Sequence, residues 1–404
     1  MKFDLKKLGP GLLFAGAAIG VSHLVQSTRA GADFGLGLLW ALLLVNLFKY
    51  PFFQFGPRYA SATGESLLDG YKKMGNGILV AYFVLTFATM FTIQTAVTIV
   101  TAGLASSLFG NFINVEVWTI VILSICVILL VIGKYKLLDN LIKVIIITLS
   151  ISTVAAVVMA IIGNDSSVSL AQILPKKTVE IVFLIAFMGW MPAPLDISVW
   201  HSLWAVEKRK DDKEFESKSA LFDFNVGYIG TVFLGICFLL LGCLVMFGSG
   251  ETFSNASGEF SGQLIEMYTS SLGEWAYVLI GIAAFTTMFS TTLTCLDASP
   301  RAMDRTLELL FNRDYKRGYL AWLILLSLGT IGIFFFFASE MGLLVKIATI
   351  LSFITAPFYA IINYKLISGK HTPKEFRPNT NMHVLSWTGI IFLVGFSIYY
   401  LTTL

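Results

Sequence analysis

Residues 17–35 read AAIGVSHLVQSTRAGADFG. They begin as an apolar helix crossing a membrane and then, at Gly20 to His23, stop looking like one. The surroundings leave no doubt about the solvent. The 404-residue chain is 56% hydrophobic and only 13% charged, with a mean hydropathy of +0.79, whereas a soluble domain carries about 25% charged residues. Its apolar runs are of the length that crosses a hydrocarbon core as a helix, roughly 20 residues, so a β-barrel of alternating ten-residue strands is excluded. The chain reads as an all-α integral membrane protein. In lipid, an interrupted helix leaves peptide groups that only protein or a water-filled cavity can satisfy. The break therefore marks either a kink packed by neighbours or a site.

Between charge clusters and Gly, Pro and Asn punctuation lie about eleven spans, centred near residues 22, 48, 92, 123, 149, 193, 234, 285, 327, 353 and 393. Lys2, Lys6 and Lys7 precede the first. Every second connection is basic, carrying Lys72 and Lys73, Lys134 and Lys136, Lys208 to Lys218, Arg301 to Arg317, and Lys365 to Arg377. The opposite loops hold little beyond Arg29, Lys176 and Lys177. By the positive-inside rule the N-terminus is cytoplasmic and, with an odd number of spans, the C-terminus extracellular, in a multi-pass protein of the cell membrane. Cys126, Cys237, Cys243 and Cys295 lie inside apolar runs without metal-type spacing and read as small core residues.

The sixth span is interrupted as well, at GWMPAPLDIS, where Pro192 and Pro194 cannot both occupy a regular helix. Two breaks five helices apart indicate two inverted halves, roughly residues 9–163 and 179–366, with an extra helix at 383–404, all within one transporter domain. Paired interruptions of this kind point to a binding site at mid-membrane.

The residues at the breaks are the candidates. Ser22, His23, Gln26, Ser27 and Thr28 are polar groups on the short helix leaving the first. Asp196 is the carboxylate at the second; at about 2.5–3.5 kcal/mol to bury it mid-bilayer, it is either functional or a cap on the helix that follows. Lys49, in LLLVNLFKYPFF, either snorkels past Pro51 to the cytoplasmic face or is a fixed internal cation that pairs with Asp196 or a substrate anion. Arg29 is expected to pair with Asp33, four residues on. Trp190 and Trp200 flank the second break, as cavity lining or as packing.

The chain resembles the NRAMP family of divalent-metal transporters in GPGLL (9–13), AGADFGLGLLWALLLVNL (30–47), ATGESL (62–67) and the sixth span ending in WHS (200–202). The resemblance implies a LeuT-like 5+5 inverted repeat with about 11 transmembrane helices, helices 1 and 6 broken, and transport by alternating access. It also exposes departures. The family's first-helix Asp-Pro-Gly-Asn falls on Gly20, Val21, Ser22 and His23. Its sixth-helix Met falls on Met191 in one register and on Ala193 or Pro194 in another. Its third-helix proton-pathway carboxylates fall on Phe87, Gln94 and Val97.

The expectation is thus an NRAMP-related secondary transporter of an ion or small solute whose transition-metal site and proton pathway are lost. Substrate contacts would come from Gly20, Ser22, His23, Gln26, Ser27, Met191, Ala193 and Asp196, and coupling or charge pairing from Lys49 and Gln94. A divalent cation held by Asp196 and His23 is the alternative, and a non-transporting receptor a second. No enzyme motif, cofactor or nucleic-acid partner is indicated; lipid and a small solute are the expected partners of a monomer. The topology is checked by thiol labelling of single cysteines: Asn255→Cys is expected to react from outside the cell and Asp212→Cys from inside, and the reverse pattern overturns it.

Overall fold

The computed structural model describes residues 9–110, 113–132, 135–163, 169–211, 217–250, 252–337 and 340–403. Lys2, Lys6, Lys7, Lys134, Asp212 and Lys213 lie outside them. The described residues form helices and connections with no strand. In order these are α1 (Pro10–Ala18), a π-helical turn (Ser22–Ser27), α2 (Thr28–Phe34), α3 (Leu39–Thr63), α4 (Leu67–Met74), α5 (Asn76–Phe109), α6 (Val115–Ile132) and α7 (Tyr135–Gly163). There follow α8 (Thr178–Trp190), α9 (Ile197–Asp211), α10 (Ser217–Val245), α11 (Ser257–Leu272), α12 (Ala276–Phe311), α13 (Gly318–Phe337), α14 (Met341–Ser368) and α15 (Thr380–Thr403).

Eight of these helices are long and apolar enough to cross a membrane, and α1 with the segment Ser22–Phe34, bent by 46° at the break, makes a ninth. The long α3 and the interrupted pair α8 and α9 occupy the places read as the second and sixth spans. Each of the eleven expected centres falls on one of these segments. Two helices are additions to that reading. α4 is short and begins with a capping box, Ser66 N–H to Asp69 Oδ2 at 3.0 Å and Asp69 N–H to Ser66 Oγ at 3.4 Å, just after Gly64 closes α3 in a left-handed turn (φ +76°). That is what ATGESL encodes. α11 lies in the long acidic connection after α10.

The GPGLL stretch has an equally local cause. Pro10 opens α1, and the free amides of Gly9 and Gly11 donate to the two carboxylate oxygens of buried Asp223 at 3.0 and 2.6 Å, tying α1 to α10. A negative group at a helix N-terminus meets both the orphan donors and the positive end of the dipole. Close backbone approach extends the seam. A methyl on Gly11 would come within 2.1 Å of the Asp223 carbonyl oxygen, and one on Gly227 within 2.1 Å of the Gly11 carbonyl oxygen. Beyond the break, methyls on Gly31 and Gly242 would lie 2.1 Å from the Leu239 oxygen and 2.2 Å from the Thr28 oxygen. Small residues thus let α1 and α2 both lie against α10.

All four cysteines are free and buried. Arg29 does not close on Asp33 in a direct ion pair: it donates to the Ser254 carbonyl and to Asn255, and covers the Phe260 ring at 5.2 Å. The connection before α11 supplies the two oxygens and α11 the ring face. Removing the Asp223 carboxylate takes away two charge-assisted bonds, each worth about 1.5–3 kcal/mol. Asp223→Ala and Gly11→Ala are both expected to lower the unfolding temperature in detergent by several degrees, read by scanning fluorimetry.

Candidate functional site

The second break is as long as its two prolines require: residues from Met191 to Asp196 are out of helix, and α9 restarts through Ile197 N–H to the Pro194 oxygen and Val199 N–H to the Asp196 oxygen. The Met191–Pro192 peptide is cis. The first break is shorter and earlier than the polar residues indicated. Only Ile19 and Gly20 leave the helix, and Ser22 to Ser27 already form a wide π turn.

The polar side chains of that turn serve its own backbone. Ser22 Oγ lies 2.6 Å from the Ala18 carbonyl oxygen and 2.6 Å from His23 Nδ1. The Ser27 and Thr28 hydroxyls donate to the Ser22 and His23 carbonyls at 3.2 and 3.4 Å. His23 Nε2 is 2.9 Å from the Thr231 carbonyl, which accepts only, so this nitrogen carries a hydrogen and cannot also bind a metal. Gln26 is buried. A methyl on Gly235 of α10 would stand 3.4 Å from the Met191 sulfur and 3.7 Å from His23 Cδ2, so both side chains lie over bare backbone of α10.

Lys49 does not snorkel. It is wholly buried, and its ammonium faces the broken end of α8, donating among the carbonyls of Gly189 (2.7 Å), Met188 (2.8 Å), Met191 (3.1 Å) and Ala193 (3.3 Å). The reason is steric and electrostatic at once. α3 packs along α8 and α9, and the unwound carbonyls end there without amide partners.

Asp196 lies within Coulombic reach of Lys49. Its Oδ1 has no partner among the described residues, and the Ile197 amide that follows it donates to the Pro194 oxygen at 3.2 Å. Gln94 bridges α5 and α12, donating to Thr98 Oγ1 and the Thr292 carbonyl at 3.2 Å each. Phe87 faces outward, 43% exposed.

Where the two breaks meet, a cavity of about 20 Å³ remains, room for about one water. Its wall is mostly apolar: Val21, Ile93, Val97, Trp190, Ile197 and Trp200 among others, with hydroxyls from Ser22 and Thr291 and the thiol of Cys295. Of the sequence candidates, Ser22 and Ala193 line it; His23, Gln26, Ser27, Met191, Asp196, Lys49 and Gln94 do not, and Gly20 abuts it through Thr291. Thr291 and Cys295 escaped the reading because nothing in the α12 sequence distinguishes them. Thr291 Oγ1 lies 3.0 Å from the Gly16 oxygen, 3.2 Å from the Ile19 oxygen and 3.1 Å from the Thr287 oxygen, so α12 props the first break. Among the described residues no three His, Cys, Asp or Glu side chains are grouped as a metal site. A hollow of about 650 Å³ at the α4 end is lined by Glu65, Asp69, Glu207, Arg301, Arg305 and Glu308. Its charges are largely spent on each other, Arg305 with Asp69 and with Glu308 (3.0 Å).

Two interrupted helices that line one cavity in an all-α bundle of membrane-length helices are the arrangement of a secondary transporter of the LeuT fold. Residues 11–403 match the Nramp family, described as natural resistance-associated macrophage protein-like, and the chain belongs to that family. It is 38% identical over 402 residues to an uncharacterized protein of Pasteurella multocida (strain Pm70), covering 98% of this chain and 91% of that one. The fold is that of the Eremococcus coleocola manganese transporter, with a TM-score of 0.76 at 12% identity over 97% of this chain and 85% of the other. It is equally close to MhsT in complex with L-phenylalanine, with a TM-score of 0.74 at 13% identity and 98% of each chain covered.

A methyl on Gly20 would stand 2.9 Å from Thr291 Oγ1 and Cγ2. Gly20→Ala is therefore expected to destabilise the protein, and Thr291→Ala in the same molecule to recover part of the loss. A double-mutant cycle on unfolding temperatures checks this, with an expected coupling on the order of 0.5–3 kcal/mol.

Proposed function

We propose that the chain carries a small solute or ion across the membrane by alternating access through the gap between its two interrupted spans, without the transition-metal chemistry of its family. The observation that carries this reading is the wall of the central cavity: indole and aliphatic surface, two hydroxyls and a thiol, with no carboxylate. A divalent ion in a low-dielectric site needs anionic ligands near it, since Coulomb energies there are large. The one carboxylate at the second break lies beside a buried ammonium. Small organic solutes with an apolar face suit indole walls and a few hydroxyls, and the fold is shared with MhsT, a protein seen in complex with L-phenylalanine.

Within this reading Ser22 and Ala193 touch the solute, while Gly20 keeps the first break slim. Asp196 and His23 act on the shape and charge of the breaks. The halves 9–163 and 179–366 move as inverted repeats, with the N-terminus in the cytoplasm on the evidence of the Lys and Arg distribution. The competing reading is a divalent cation, favoured by kinship with a manganese transporter.

Uptake into proteoliposomes separates them. Mn²⁺ is expected to enter no faster than into protein-free liposomes, with or without an inward proton gradient. Among L-phenylalanine, other small amino acids, nucleobases and small anions, at least one is expected to show saturable uptake that falls tenfold or more in Trp200→Ala. Saturable Mn²⁺ uptake with acidification of the lumen overturns the proposal. Uptake that survives Asp196→Ala and His23→Ala unchanged removes those two residues from it.

A further inference from the structure

We propose that the broken end of α8 is a monovalent-cation site built from backbone carbonyls, and that the ammonium of Lys49 is its permanent occupant. Four carbonyl oxygens, from Met188, Gly189, Met191 and Ala193, converge on Nζ at 2.7–3.3 Å. An ammonium has three hydrogens and no acceptor, so the four oxygens surround it as they would a spherical ion. A neutral amine would instead turn a lone pair toward at least one of these oxygens. The charge is therefore part of the site.

The oxygens belong to the C-terminal, negative end of the α8 dipole and to the unwound segment that follows. Nothing else among the hydrogen bonds of the described residues satisfies the Met191 or Ala193 oxygen. Carbonyl rings that replace a hydration shell are how proteins hold monovalent cations. The radius matters as well: distances of 2.7–3.3 Å suit ammonium or potassium and are far too long for Mg²⁺, which demands about 2.0–2.1 Å. Lys49 reaches the site from α3, so the cation is bound covalently to the scaffold and cannot leave. It follows that the second break holds its shape with no ion drawn from solution.

Removing the side chain beyond Cβ deletes three methylenes and the ammonium, which together are n-propylammonium. Purified wild type, Lys49→Ala and Lys49→Met are compared by scanning fluorimetry in detergent at constant ionic strength, with chloride salts of sodium, potassium, ammonium, choline and n-propylammonium, and with n-propanol as the uncharged analogue. Wild type is expected to unfold at one temperature in all of them. Lys49→Ala is expected to unfold several degrees lower and to recover, saturably, with n-propylammonium and in part with ammonium or potassium, but not with choline or n-propanol. Lys49→Met, which keeps the stem and loses the charge, is expected to unfold lower than wild type. Recovery by n-propanol equal to that by n-propylammonium overturns the assignment, because then only packing is being restored. Lys49→Met as stable as wild type overturns it too. If Lys49→Ala yields no folded protein, the comparison of Lys49→Met with Lys49→Arg decides: a folded Lys49→Arg beside an unfolded or destabilised Lys49→Met supports a required charge, and equal behaviour of the two rejects it.

Discussion

Peptide groups taken out of a helix inside a bilayer find no water, and each left unpaired costs several kcal/mol. That single cost shapes the centre of this molecule. The chain leaves helical geometry twice, and each time side chains make good the loss. At the second interruption an ammonium from α3 gathers the stranded carbonyls of α8 and of the unwound segment after it, and the first amide of α9 turns back to the Pro194 oxygen. At the first, hydroxyls of Ser22, Ser27 and Thr28 answer the widened turn, and Thr291 from α12 meets the oxygens of Gly16 and Ile19. The two solutions differ in kind. One uses formal charge, the other hydroxyl dipoles.

The difference bears on what the centre can hold. The second interruption holds one basic and one acidic side chain, Lys49 and Asp196, and the first holds neither. Between them stand two indoles and aliphatic side chains. Such a centre rewards burial of apolar surface and a few hydrogen bonds, and offers little to a strongly hydrated dication. A scaffold of this kind fixes where a site is, and its lining fixes what fits.

Much of this was legible from residue order. Apolar runs located all eleven spans, since length and hydropathy are what a bilayer selects. Two prolines within three residues located the second interruption to within its own bounds, because proline lacks the amide that a helix needs. The first interruption carries no proline. Its polar residues extended the expected break from Gly20 on to His23, where the chain is already a π turn that consumes those same side chains. α4 and α11 are short and polar in part, and blend into connections when read by hydropathy. Lys49 shows the limit most plainly. From sequence it is a lysine near the centre of an apolar run with proline two places on, read either as snorkelling to the surface or as a fixed internal cation. Only the packing of α3 against α8 decides between them. Thr291, Cys295 and the outward-facing Phe87 belong to the same class, being positions whose meaning is set by which neighbour a helix face meets.

The bare seam along α10 has a mechanical corollary. Gly11 and Gly227 bring backbone against backbone before the first interruption, and Gly31 and Gly242 do so after it. Both arms of the first span are thereby bolted to one straight helix, with Asp223 as the terminal fastening. The bend between those arms cannot serve as a free hinge. Whatever swing the first span makes, α10 must travel with it as the second bar of one lever, and the yielding joints have to lie where α10 ends and its loops begin.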